Sequence, residues 1–120
     1  MALTKAQMQR LIRGAVGETK ADLIITGGKL INVYSGEILD GMEIAVIDGR
    51  ICYVGPSAQH TRGDVTEILE AHGLCVSPGF IDGHTHIGHY ARPFEHLQSF
   101  LPHGTTAVVA SCDELSSAFG

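Results

Sequence analysis

The feature that most restricts the fold of this chain is a change of texture at Pro78. Between Asp22 and Val76, short apolar runs alternate with turn residues. Leu23-Ile24-Ile25-Thr26 runs into Gly27-Gly28, and Leu30-Ile31-Asn32-Val33-Tyr34 runs into Ser35-Gly36. Ile44 and Val46 precede Asp48-Gly49, a hairpin signal, and Ile51-Cys52-Tyr53-Val54-Gly55 follows it. After a polar loop over 56–64, Ile68-Leu69 and Leu74-Cys75-Val76 supply two further strands. This patterning is all-β, a small sheet or half of a sandwich. From Pro78 the order becomes strand, helix, strand, start of helix, the signature of a βαβ unit and a parallel sheet. Phe80-Ile81 with His84 and His86 reads as a strand that Gly83 weakens near its end. Pro93 suits the first turn of a helix with Phe94, Leu97, Phe100 and Leu101 on one stripe, and Gly104 suits its end. Thr105 to Ala110 is a β-branched run, hence a strand, and Ser111 or Asp113 caps a last short helix carrying Leu115, Ala118 and Phe119.

Ahead of the strands, residues 4–16 read as a helix capped by Thr4, with Met8, Leu11, Ile12, Ala15 and Val16 on one face and Gly17 as its stop. The expected organisation is an N-terminal helix over 1–19, the first part of a β-sandwich domain over 20–77, and two βα units over 78–120. Two parallel strands leave two open edges and too few helices to cover both faces. A closed (β/α)8 barrel takes roughly 250 residues. The chain therefore reads as the front of a larger α/β protein, cut within its second βα unit, and is expected to pair with the remainder or to homo-oligomerise.

Composition narrows the function classes. With 44% hydrophobic and 18% charged residues and a mean hydropathy of +0.15, the 120-residue chain is globular rather than disordered. A net charge of −5 offers no footprint for nucleic acid or an anionic membrane. No apolar run approaches the ~20 residues of a membrane-crossing helix, and the N-terminus has no signal-peptide core. Cys52, Cys75 and Cys112 are odd in number and widely spaced, which fits a reducing cytoplasm better than a disulfide framework. The histidines, by contrast, crowd between residues 84 and 103.

Within that crowd, His84 and His86 sit two apart, so on a strand they project to one side about 6.5–7 Å apart along the chain. Two imidazoles so placed can converge on one divalent ion at about 2.0–2.1 Å. The spacing alone is equally consistent with ordinary polar residues at a strand end.

The longer phrase Val76-Ser77-Pro78-Gly79-Phe80-Ile81-Asp82-Gly83-His84-Thr85-His86-Ile87 is more specific. It resembles the first barrel strand of the amidohydrolase superfamily, in which Pro-Gly-Phe-Ile-Asp leads into a metal-binding His-x-His. The run from Phe100 to Gly120, with Leu101-Pro102-His103-Gly104-Thr105-Thr106 near its start, is similar to the adenine deaminase branch, as is the stretch from Leu11 to Ile38. The resemblance covers nearly the whole chain. It implies a barrel preceded by part of a small β-sandwich, a divalent metal (Mn, Fe or Zn) held by His84 and His86, and hydrolysis of a purine base, adenine, to hypoxanthine and ammonia in the cytoplasm. The main catalytic acid or base is expected beyond Gly120, so the chain alone is expected to be inactive.

Other positions are read more openly. Asp82 lies one step deeper on the same face and either supports the ligands from behind or packs. The family usually carries Glu directly after His-x-His-Ile, where this chain has Gly88 followed by His89. It usually carries His before the Glu-Ile after the second strand, where this chain has Asp113 before Glu114-Leu115. His89, Asp113 and Glu114 are candidate site residues; a solvated loop histidine and a helix-capping aspartate are the competing readings of the first two. His103 is explained by a helix end, and Cys112 by a small buried hydrophobe rather than a soft ligand. These departures leave open another branch, such as a cyclic-amide hydrolase or a deacetylase. A non-catalytic interaction module is the third reading.

Overall fold

The structure, a computed structural model, describes residues 2–86 and 98–110. Two compact units divide the chain, Met1–Ser77 and Pro78–Gly120. The first contains α1 (Lys5–Ala15), β1 (Leu23–Thr26), β2 (Lys29–Asn32), β3 (Glu37–Leu39), β4 (Glu43–Ile47), β5 (Arg50–Gly55), a 3-10 turn (Gln59–Thr61), β6 (Glu67–Glu70) and β7 (Cys75–Val76). The second contains β8 (Phe80–Thr85), a 3-10 turn (Leu101–His103) and β9 (Thr105–Ala110). None of the described helices is long and apolar enough to cross a membrane.

α1 starts where the sequence places it. Thr4 and Gln7 form a reciprocal capping box: the Thr4 hydroxyl accepts the Gln7 N–H at 3.3 Å and the Gln7 side chain accepts the Thr4 N–H at 2.9 Å. The helix ends at Val16, and Gly17 takes the left-handed conformation (φ +81°) that only glycine adopts at low cost. The buried side differs from the expected one. Leu11 and Gly14 meet the core, whereas Met8, Ile12 and Val16 remain 47, 59 and 63% exposed. The reason is steric. A Cβ at Gly14 would collide with Ile47 Cδ1, so glycine lets the helix axis approach the sheet on that side, and the larger apolar residues turn outward.

Two sheets follow. In the larger, the order is β5-β4-β1-β6, with β1 antiparallel to β4 and parallel to β6. In the smaller, the order is β3-β2-β7, with β2 antiparallel to β3 and parallel to β7. The chain passes from one sheet to the other at Gly27-Gly28. Gly27 has φ +74°, and a Cβ at Gly28 would lie 2.8 Å from Val76 Cγ2 and 3.0 Å from Ala71 Cβ. β2 stops at Asn32, short of the expected Tyr34. The Asn32 side-chain oxygen accepts the Tyr34 N–H at 3.1 Å and its carbonyl accepts the Gly36 N–H at 2.8 Å, which turns the chain into the β2–β3 hairpin.

The β4–β5 hairpin turns as Asp48-Gly49 dictates: both residues have positive φ, 51° and 69°. Asp22 accepts the Asp48 N–H at 2.6 Å, and the Asp48 carboxylate pairs with Arg10 Nε at 2.7 Å. That exposed ion pair contributes at most ~1 kcal/mol; the tie from Asp22 fixes the turn against β1. Beneath α1 the core is Ala21, Ile24, Ala45, Ile47 and Ala58, with Leu11, Cys52, Tyr53 and Ile68 packed around it.

In the second unit β8 and β9 pair in parallel, as expected. Residues 98–100 are helical and lead into the 3-10 turn, which Gly104 closes at φ +87°. The predicted helix start at Pro93, with Phe94 and Leu97, and the last helix from Ser111 or Asp113 through Leu115, Ala118 and Phe119 lie outside the described residues.

Candidate metal centre

β8 enters beside β9 through the glycine of Pro78-Gly79. A Cβ at Gly79 would collide with the Thr106 side chain, so only glycine permits this approach. Pairing begins where the Phe80 N–H donates to the Gly104 carbonyl at 2.8 Å. The ladder then runs from Phe80 opposite Thr105 to Thr85 opposite Ala110.

At the C-terminal end of β8 the two predicted ligands meet. Nε2 of His84 and Nε2 of His86 are 3.0 Å apart, with ring centroids 4.8 Å apart and planes at 80°. Two nitrogens on one ion at about 2.0–2.1 Å, with an angle near 90–110°, are separated by about 2.9–3.4 Å. The pair therefore fits two positions of one coordination shell. The same separation also suits a direct N–H···N hydrogen bond, in which one Nε2 carries the proton. Both imidazoles are exposed and Asp82 is half-buried. The Asp82 carboxylate accepts the His84 backbone N–H at 3.1 Å. This link follows the local Asp-x-His pattern, a short acidic side chain reaching its own backbone two residues on.

Among the described residues, no group of three or more His, Cys, Asp and Glu side chains gathers to hold an ion. His89, Cys112, Asp113 and Glu114 lie outside the described residues. His103 ends the exposed 3-10 turn before Gly104. His60 belongs to the scaffold: its Nε2 lies 3.0 Å from the Ala15 carbonyl at the end of α1, and its ring stands edge-on to Tyr53. A polar hollow of about 450 Å³, lined by Gln59, Arg62, Gly63, Asp64 and Thr66, contains none of the predicted ligands. Of the cysteines, Cys75 is exposed. Cys52 is half-buried, and burial pushes its thiol pKa above the usual value.

No family model matches the chain. Solved structures supply the class: an N-acyl-D-glutamate deacylase from Bordetella bronchiseptica, complexed with zinc and a phosphonate inhibitor, is 31% identical with a TM-score of 0.61. That match covers 76% of this chain and 18% of that one. A D-aminoacylase variant in complex with copper chloride is 28% identical with a TM-score of 0.64, over the same shares of the two chains. The chain thus shares the fold of a segment of these enzymes, and a further D-aminoacylase structure, 28% identical with a TM-score of 0.62, is described as defining a subset of amidohydrolases. Among curated sequences the resemblance is to the adenine deaminases. Adenine deaminase 3 of Rhizobium meliloti (strain 1021) is 41% identical over 112 residues, and the adenine deaminase of Cenarchaeum symbiosum (strain A) is 46% identical over 101 residues. These matches cover 92 and 84% of this chain, which spans only 19 and 17% of those relatives' lengths.

Proposed function

We propose that this chain is the metal-binding front of an adenine deaminase, with β8 and β9 as the first two strands of its (β/α)8 barrel and the two β-sheets as part of its small β-domain. The reaction is hydrolysis of adenine to hypoxanthine and ammonia. The observation that carries this reading is the convergence of His84 and His86 at a strand end, in a chain 41% identical to an adenine deaminase over 92% of its length.

When bound, a divalent ion (Mn, Fe or Zn) supplies the Lewis acidity that generates a hydrolytic nucleophile at neutral pH. The work of His84 and His86 is to hold it. To hold it, each would offer an Nε2 lone pair, with the ring proton on Nδ1. His89, Asp113 and Glu114, which follow β8 and β9 in the sequence, are further candidates. The remaining ligands, the acid that protonates the departing ammonia and most of the purine pocket belong to later strands. The partner class is a small purine base, with neither nucleic acid nor membrane, in a cytoplasmic enzyme.

A second reading is favoured by the structural neighbours, which include deacylases at 28–31% identity, and by the departures at Gly88 and Asp113. On this reading the substrate is an acylated amine or cyclic amide.

The test uses the protein that carries this segment together with a complete barrel. Adenine should yield hypoxanthine and ammonia, and His84→Ala or His86→Ala should remove both bound metal and nearly all turnover. Turnover of N-acyl amino acids in place of adenine would establish the second reading. Near-normal deamination by either folded variant would exclude the metal role.

A further inference from the structure

The β8–β9 ladder is irregular at the point where the site forms. From Asp82 to Thr85 β8 takes three steps, while its partner takes two, from Val108 to Ala110. The surplus falls at Gly83-His84, the residues of β8 with no register partner on β9 in this interval. Such a bulge re-aims the side chains that follow and leaves a backbone group outside the ladder. The direction of the His84 imidazole is therefore not set by strand alternation alone. Gly83 contributes nothing to fixing it, having no side chain and open space where a Cβ would be. What holds His84 here is Asp82, whose carboxylate accepts the His84 N–H at 3.1 Å.

We infer that Asp82 is a positioning residue. By tying the bulged His84 amide to the strand, its carboxylate oxygen aims the His84 imidazole at that of His86. The role requires an acceptor atom two residues before His84 and does not require a negative charge, so an amide oxygen serves as well. The consequence for metal affinity rests on the metal reading given above, while the tie itself stands on the backbone geometry.

The experiment takes the protein that carries this segment together with a complete barrel and compares it with its Asp82→Ala and Asp82→Asn variants. Amide hydrogen exchange at His84 is read by NMR without metal, and zinc chloride is titrated by calorimetry. Asp82→Ala should exchange the His84 amide roughly tenfold faster and bind zinc on the order of tenfold more weakly, the usual loss when a group supporting a ligand is removed. Asp82→Asn should stay close to the wild type in both. Unchanged exchange in Asp82→Ala would overturn the inference, and so would an Asp82→Asn variant as impaired as the alanine one, since charge would then be the operative property. If the wild-type protein with its complete barrel takes up no zinc, the metal reading fails, and the exchange comparison alone decides the role of Asp82.

Discussion

Replacing Gly14 by alanine sets two opposed effects against each other. In a helix interior alanine is favoured over glycine by up to about 1 kcal/mol, so propensity alone predicts a more stable protein. Packing predicts the reverse. The added Cβ would collide with Ile47 Cδ1 and lie 3.3 Å from Cys52 Sγ and 3.4 Å from Cys52 Cβ. Ile47 is 0% exposed and cannot swing into solvent, so either α1 lifts or the core around Ile47 shifts. Overpacking of this kind costs about 1–3 kcal/mol, and the difference leaves Gly14→Ala destabilised by about 1 kcal/mol. For a unit of this size that lowers the midpoint by roughly 4–8 °C, a shift that thermal circular dichroism resolves. Ile47→Val removes the colliding methyl at its own cost of about 0.5–1.5 kcal/mol. The double variant should therefore be more stable than the two single losses added together, by at least about 0.5 kcal/mol of coupling. A raised midpoint for Gly14→Ala, or strict additivity with Ile47→Val, would refute the close approach of helix and sheet at this position.

Two other outcomes follow from exposure. Iodoacetamide at mildly alkaline pH should label Cys75 before Cys52, on the order of tenfold faster by peptide mass spectrometry, because Cys52 is half-buried with a raised thiol pKa; equal rates would contradict the packing under α1. The chain should also associate in sedimentation experiments, since Phe80, Ile81 and Val109 on its parallel pair are exposed and, among the described residues, β8 and β9 pair only with each other. A sharp boundary of monomer mass at every concentration would be the contrary result.

What the sequence made legible was local. Asp48-Gly49 announced its turn because both positions need positive φ, and Thr4 announced a capped helix. The His-x-His pair was legible as a spacing at the end of β8, because its members are neighbours in the sequence. β3 escaped because Glu37-Ile38-Leu39 is too short to show any period. Gly14 escaped because a glycine in a helix reads as a weak point, and only the position of Ile47 reveals it as a contact. The bulge at Gly83-His84 was hidden too: strict alternation was assumed, and the surplus residue is defined only against β9.

The crossing at Gly27-Gly28 has a consequence for how the first unit forms. β4 and β5 are joined by a two-residue turn and can close within microseconds. β6 and β7 have no such local partner. Leu23 pairs with Glu67 and Lys29 with Cys75, more than forty residues later. Between these pairings the Thr26 carbonyl accepts the Ala71 N–H at 2.8 Å, and the Leu74 carbonyl accepts the Lys29 N–H at 3.0 Å. Segments 23–32 and 67–76 thus form one seam running through both sheets. Its closure is non-local and bears the entropy of the intervening loop, so it is the slow event of folding. Until the seam closes, neither sheet has its last strand, and the two are completed together.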